Sequence, residues 1–160
     1  MAFLQASIRS LVLGRNVNIT AILPEPYTCV NSRPSGIVSQ EPKYKTLYYI
    51  PGKGGNELDA ILESRIYEYA RKKGIAVIMP SLDGIAAVNG PRWNMADFIA
   101  HELVTYSRLM FPLSDRREDT YIFGVSLGGY SALYLLFTYP EIFVEGASLS
   151  GTVDMVSRVR

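Results

Sequence analysis

Four short apolar runs constrain this chain most: KTLYYI at Lys45 to Ile50, IAVIM at Ile75 to Met79, Thr120 to Val125, and Phe143 to Leu149. Runs this short, bounded by Pro, Gly or polar residues, are too brief for helices and too uniformly apolar for strands with a wet face. They read as strands buried on both sides. Between them lie segments with apolar residues at helical spacing. Asn56 is placed to cap a helix whose stripe is Leu58, Ile61, Leu62, Ile66 and Tyr69, with Arg71, Lys72 and Lys73 in its last turn and Gly74 as its stop. Asn94, with Asp97 three residues on, marks a second helix start, and Phe98, Ile99, Leu103, Tyr106 and Met110 carry its apolar face. Leu127 to Tyr139 is apolar almost all round, as in a helix covered on most sides. Strands alternating with helices in this way give a mostly parallel sheet with helices on both faces, an α/β architecture.

The N-terminal part differs. Ser7 to Leu13 and Asn16 to Leu23 alternate apolar with polar residues around Gly14-Arg15, which predicts an antiparallel hairpin. Pro24 to Pro42 is rich in Pro, Ser, Asn and Gly and keeps no period, so it reads as a surface loop.

With 48% hydrophobic and 19% charged residues in 160 positions, there is material for a core and too little charge for disorder, and one domain is expected over residues 1–160. A formal charge of +1 disfavours nucleic acid or an anionic membrane as partner. No apolar run reaches the ~20 residues of a membrane span, and Arg9 interrupts the apolar opening, so no signal peptide is read. The lone Cys29 has no Cys or His cluster near it, which argues against a disulfide scaffold and a structural metal and fits a reducing, cytoplasmic setting.

Gly124-Val125-Ser126-Leu127-Gly128 fits G-x-S-x-G. Composition alone would produce such a pattern in about one chain of this kind in ten, but here it lies where a strand hands over to a helix. That turn lifts a serine hydroxyl above the sheet and aims the first helical amides at it, so Ser126 is the candidate nucleophile and the Leu127 N–H a candidate oxyanion donor. The alternative is a passive serine between two glycines that permit tight packing. Pro51-Gly52-Lys53-Gly54-Gly55 follows the first central strand, where the second oxyanion amide, from Lys53 or Gly52, would come from. It lacks the spacing of a phosphate loop, which disfavours a nucleotide-binding domain and leaves an ordinary turn as its rival.

There is one histidine, His101, inside the second helix and ahead of the serine. A hydrolase of this kind runs Ser, then Asp or Glu, then His, so His101 reads as a solvated or packed residue. Asp154 could serve as the acid, or be a loop carboxylate; Asp83 reads as structural, and Trp93 as packing or as part of an acyl pocket.

The segment Phe111 to Leu133, FPLSDRREDTYIFGVSLGGYSAL, resembles the esterase D-like serine esterases, in particular their tributyrin esterase branch. The similarity extends over AVIMPSLDG, FIAHEL and TYPEIFVEGASLSGTVD, roughly Lys45 to Asp154. It implies an α/β-hydrolase that cleaves short acyl esters without a cofactor, through an acyl-enzyme on Ser126, with Leu127, Lys53 and Gly52 as oxyanion donors. Family members usually carry His-Gly where this chain has Pro51-Gly52, and they continue through further strands whose loops carry the acid and the catalytic histidine. The expectation is therefore a C-terminally truncated hydrolase domain that turns over esters poorly by itself. An inactive remnant or interaction module is the alternative. The strand from Phe143 to Leu149 would then be an open edge through which the chain self-associates.

Overall fold

The computed structural model describes residues 1–25, 27–30, 33–37 and 43–154. Six strands form one sheet in the order β1-β2-β6-β5-β7-β8: β1 (Ala2–Arg9), β2 (Asn16–Leu23), β5 (Thr46–Ile50), β6 (Ala76–Pro80), β7 (Thr120–Val125) and β8 (Glu145–Leu149). The strands β6, β5, β7 and β8 run parallel, and β2 joins β6 antiparallel. Helices α1 (Asp59–Glu63) and α2 (Ile66–Lys73) lie on one face with Ile22, Tyr49, Val77 and Met79. A helix over residues 95–110, α3, and the helix α4 (Leu127–Thr138) cover the other. There Tyr48, Ile78, Ile122, Phe98 and Phe143 pack as a closed core, with the Phe143 ring edge-on to Tyr48. This is the α/β architecture with an N-terminal antiparallel hairpin that the apolar runs predict.

Four details depart from the sequence reading. The first strand is Ala2–Arg9, not Ser7 to Leu13: pairing runs from Ala2 opposite Leu23 to Arg9 opposite Asn16. Leu11 and Val12, apolar enough to pass for strand, lie instead in the connection, with Leu11 79% exposed. That turn is held from outside, because the Glu102 carboxylate accepts hydrogen bonds from the Leu11 amide (2.7 Å) and the Ser10 hydroxyl.

The stretch read as loop from Pro24 to Pro42 contains a two-stranded antiparallel ribbon, β3 (Tyr27–Val30) with β4 (Arg33–Ile37). A register shift between Thr28 and Cys29 breaks the two-residue period that would have marked it. Residues 38–42 of that stretch, and 26, 31 and 32, lie outside the described residues.

The helix expected after Asn56 is two helices, broken at Ser64-Arg65. Asn56 Oδ1 does accept a hydrogen bond from the Leu58 amide at 2.8 Å. The break resets the helical phase, so Leu62 and Tyr69 of the expected stripe are 76% and 61% exposed while Ala60 and Ala70 are buried. Gly74 ends α2 in the left-handed conformation, φ 63°.

Finally, Asn94 caps nothing through its side chain. The carboxamide of Asn89 does so from the preceding loop, accepting from the amides of Ala96 (3.1 Å) and Asp97 (3.2 Å). The helix that follows widens to π geometry over Phe98–Leu103, which brings Phe98, Ile99 and Leu103 into the core. Met110 of the expected face stays exposed.

Candidate active site

The order β6-β5-β7-β8 contains one reversal. From β5 the chain crosses to β6 on one side, then returns past β5 to β7 and β8 on the other. Loops leaving the carboxyl ends of β5 and β7 therefore diverge, and open parallel sheets form their crevice at such a point. Ile50 pairs with Gly124 there, so Pro51-Gly52 and Val125-Ser126 emerge side by side.

Ser126 sits between β7 and α4 with φ 56° and ψ −119°. A side chain at positive φ is strained, and three contacts hold it. Its amide donates to the Leu149 carbonyl at 2.9 Å, and its own carbonyl accepts from Gly129 (2.9 Å) and Tyr130 (3.2 Å). Two glycines make the turn possible for a steric reason. A Cβ on Gly124 would lie 2.1 Å from the Gly128 carbonyl oxygen, and one on Gly128 would lie 2.1 Å from that of Ile50. Helix α4 thus presses onto both strands, with the Leu127 and Gly128 amides ahead of its first helical hydrogen bond, that of Gly129 to the Ser126 carbonyl. Ser126 itself is half-buried.

The facing loop is a tight turn. The Gly55 amide donates to the Gly52 carbonyl at 3.1 Å, and Gly54 has φ +80°, the signature of a type II turn with Lys53 and Gly54 at its centre. Gly52 lies against the elbow: a Cβ there would be 3.5 Å from Ser126 Cβ and 3.4 Å from the Val125 carbonyl oxygen. Lys53 is exposed.

The other candidates lie apart from this cluster. His101 is exposed on α3, with its ring edge-on to Tyr139 at a centroid distance of 5.2 Å. Tyr139 follows the last residue of α4 and Ser126 precedes the first, so the two stand at opposite ends of a helix about 18 Å long at 1.5 Å per residue, with the imidazole beside the Tyr139 ring. Asp154 is exposed beyond the end of β8 and is engaged in an interaction there. Trp93 is partly exposed in a turn closed by hydrogen bonds with Gly90. Among the described residues no three His, Cys, Asp or Glu side chains gather as a metal site, and no helix is long and apolar enough to cross a membrane.

Near Tyr139 lies a polar cluster that sequence reading missed. The phenol donates to Asp97 Oδ1 at 2.7 Å. Hydrogen bonds from Asn89 and Tyr139 hold the Asp97 carboxyl below the usual carboxylate range, while burial and the Asp97 carboxylate push the Tyr139 phenol up to about 12. These residues sit at spacings no motif records. They join the 81–93 loop to α3 and to the far end of α4.

Residues 10–159 match the family described as "Putative esterase". The chain is 32% identical over 155 residues to an acetyl esterase from Caldicellulosiruptor saccharolyticus, spanning 96% of this chain and 57% of that protein. Among solved structures it superposes on the fluorophosphonate-binding serine hydrolase F of Staphylococcus aureus with a TM-score of 0.81 and 32% identity, over 94% of this chain and 57% of that one. It also superposes on an S-formylglutathione hydrolase of Staphylococcus aureus with a TM-score of 0.73 and 30% identity, covering 89% of this chain and 54% of that one. The chain thus spans somewhat over half the length of the relatives it matches. With the strand order, the glycine-packed elbow and this match in agreement, the chain belongs to the esterase family of α/β-hydrolase fold.

Proposed function

We propose that residues 1–160 carry the nucleophile and oxyanion half of a single serine carboxylesterase domain that acts on short-chain acyl esters, as in the tributyrin esterase branch. The observation behind this reading is Ser126 held at φ 56° beside Gly52, at the switch point of the sheet. In the proposed reaction Ser126 Oγ attacks the ester carbonyl carbon and the carbonyl electron pair moves onto oxygen. That oxyanion faces the amides of Leu127 and of Lys53 or Gly52. A base accepts the hydroxyl proton and returns it to the departing alcohol, and water then releases the acid by the same route. His101, at the far end of α4, is not that base, so we assign the imidazole to residues beyond these 160; Asp154 is retained as a candidate acid.

The lone Cys29 supports a reducing, cytoplasmic setting. A second reading, association with a further copy, has its own observation. Strand β8 is at the end of the sheet, and Leu47, Tyr49, Phe123, Val125 and Leu149 line an apolar cavity of about 430 Å³ on the face that α1 and α2 only partly cover. Ester turnover by a protein that includes the downstream acid and histidine tests the first reading. Substituting Ser126→Ala should abolish turnover without loss of cooperative unfolding, and retained turnover would sink the serine mechanism.

A further inference from the structure

The turn that faces Ser126 is itself supported from behind. After β6 the chain runs Ser81-Leu82-Asp83-Gly84, with Leu82 buried and two successive residues at positive φ, Asp83 at 52° and Gly84 at 70°. Gly84 touches the oxyanion turn: a Cβ on it would lie 3.0 Å from the Gly54 nitrogen and 3.7 Å from Gly54 Cα. Asp83 is not a glycine, though aspartate is among the residues that enter this region most readily, and two groups meet its carboxylate. Arg15 Nη1, from the β1–β2 connection, meets Asp83 Oδ2 at 2.8 Å, and the Ser81 hydroxyl reaches Asp83 Oδ1 at 3.4 Å. Arg15 Nη1 also donates to the Asn16 carbonyl at 3.3 Å, and Nη2 is buried without a hydrogen-bond partner among the described residues.

We propose that Arg15 and Asp83 form a clamp that, through the contact of Gly84 with Gly54, holds the Gly52–Gly55 turn in place beside Ser126. Both are positioning residues, since neither touches the serine. The clamp spans a chain of contacts from the N-terminal hairpin to the nucleophile: Arg15 to Asp83, Gly84 to Gly54, and Gly52 to Ser126. The Asp83 side chain is 58% exposed, and a pair this open adds little to global stability. Its effect is therefore local. An amide of the turn displaced by about 1 Å no longer points at the developing oxyanion, and misplacement on that scale can cost about 10²-fold in rate. The catalytic consequence rests on the reading of Ser126 as nucleophile; the mechanical one does not.

The experiment separates the two. Amide hydrogen exchange at Gly55, whose N–H closes the turn onto Gly52, is measured in the wild-type chain and in Asp83→Asn, Arg15→Ala and Arg15→Lys, together with the thermal midpoint. The rate of covalent labelling of Ser126 by a fluorophosphonate is followed in parallel in the same variants of a longer protein that includes the downstream histidine, with Ser126→Ala of that protein as blank. Asp83→Asn and Arg15→Ala should speed Gly55 exchange at least about tenfold, with the midpoint nearly unchanged, and slow labelling by a similar factor. Arg15→Lys should retain most of both. Unchanged Gly55 exchange in Asp83→Asn and Arg15→Ala overturns the clamp. Wild-type labelling no faster than that of Ser126→Ala overturns the nucleophile reading instead, and Gly55 exchange still decides the clamp.

Discussion

The two faces of β7 and β8 are built on opposite principles. On one, Gly124, Gly146 and Ser148 leave no room: a Cβ on Gly146 would meet Ile122 Cγ2 at 2.9 Å, and Ser148 Oγ lies where a Cβ on Gly129 or Gly151 would clash. Helix α4 is pressed onto this face, and the elbow is its product. On the other face Tyr121, Phe123 and Val125 alternate with those residues, followed across the ladder by Ala147 and Leu149, and all are at least partly accessible. One face of the same two strands thus specifies backbone geometry around Ser126. The other presents apolar side chains with nothing among the described residues packed fully over them.

The sharpest way to break this contrast is Gly128→Ala. Its methyl group would meet the backbone oxygens of Ile50 and Pro51 at 2.1 and 2.4 Å, and neither can yield without moving β5. We expect a loss above about 4 kcal/mol, read as failure to unfold cooperatively in urea. Phe143→Ala comes next. The ring is fully buried on the covered side, edge-on to Tyr48, and its removal should cost about 3–5 kcal/mol by the same measurement.

Alkaline titration probes the covered face without mutation. Burial pushes the Tyr48 phenol up to about 12, so this group favours the folded state fully below its ordinary pKa near 10. That contribution is lost as pH rises through 12, on the order of 2 kcal/mol. Tyr48→Phe should flatten the fall in stability between pH 10 and 12. A second, smaller fall from Tyr139 should survive in that variant. The gentlest test is on the open face. Leu149→Lys is expected to change monomer stability by less than about 0.5 kcal/mol yet reduce self-association in sedimentation velocity. An equal loss of stability to Phe143→Ala would mean that the open face is packed after all.

The same contrast governs how much was legible beforehand. Strands β5 and β6 follow from their runs because packing on both faces fixes residue type at nearly every position, and β7 is legible from a similar run although one of its faces stays partly accessible. The elbow was legible because steric exclusion leaves only glycine at positions 124 and 128, and that leaves a mark in the sequence. Asn89 capping a helix seven residues on, Glu102 closing the turn at Ser10 and Leu11, and Arg15 meeting Asp83 were not legible. Each joins segments brought together only by the fold, and a polar residue in a loop carries no record of its partner. Leu62 and Tyr69 were misplaced for a related reason, because a break between two short helices shifts the phase without changing composition.

We propose a division of labour: Ser126 and the amides around it lie in this chain, and the imidazole that activates the serine comes from outside it. Turnover of a short p-nitrophenyl ester by the purified 160-residue chain tests it directly, beside the Ser126→Ala variant and a protein that includes the downstream acid and histidine. We expect the isolated chain to fall at least about 10³-fold below the longer protein in kcat/KM, since a lost triad member costs several orders of magnitude, with the longer protein wholly dependent on Ser126. Efficient, Ser126-dependent turnover by the 160 residues alone would contradict the account, because His101, the single imidazole available, sits at the wrong end of α4.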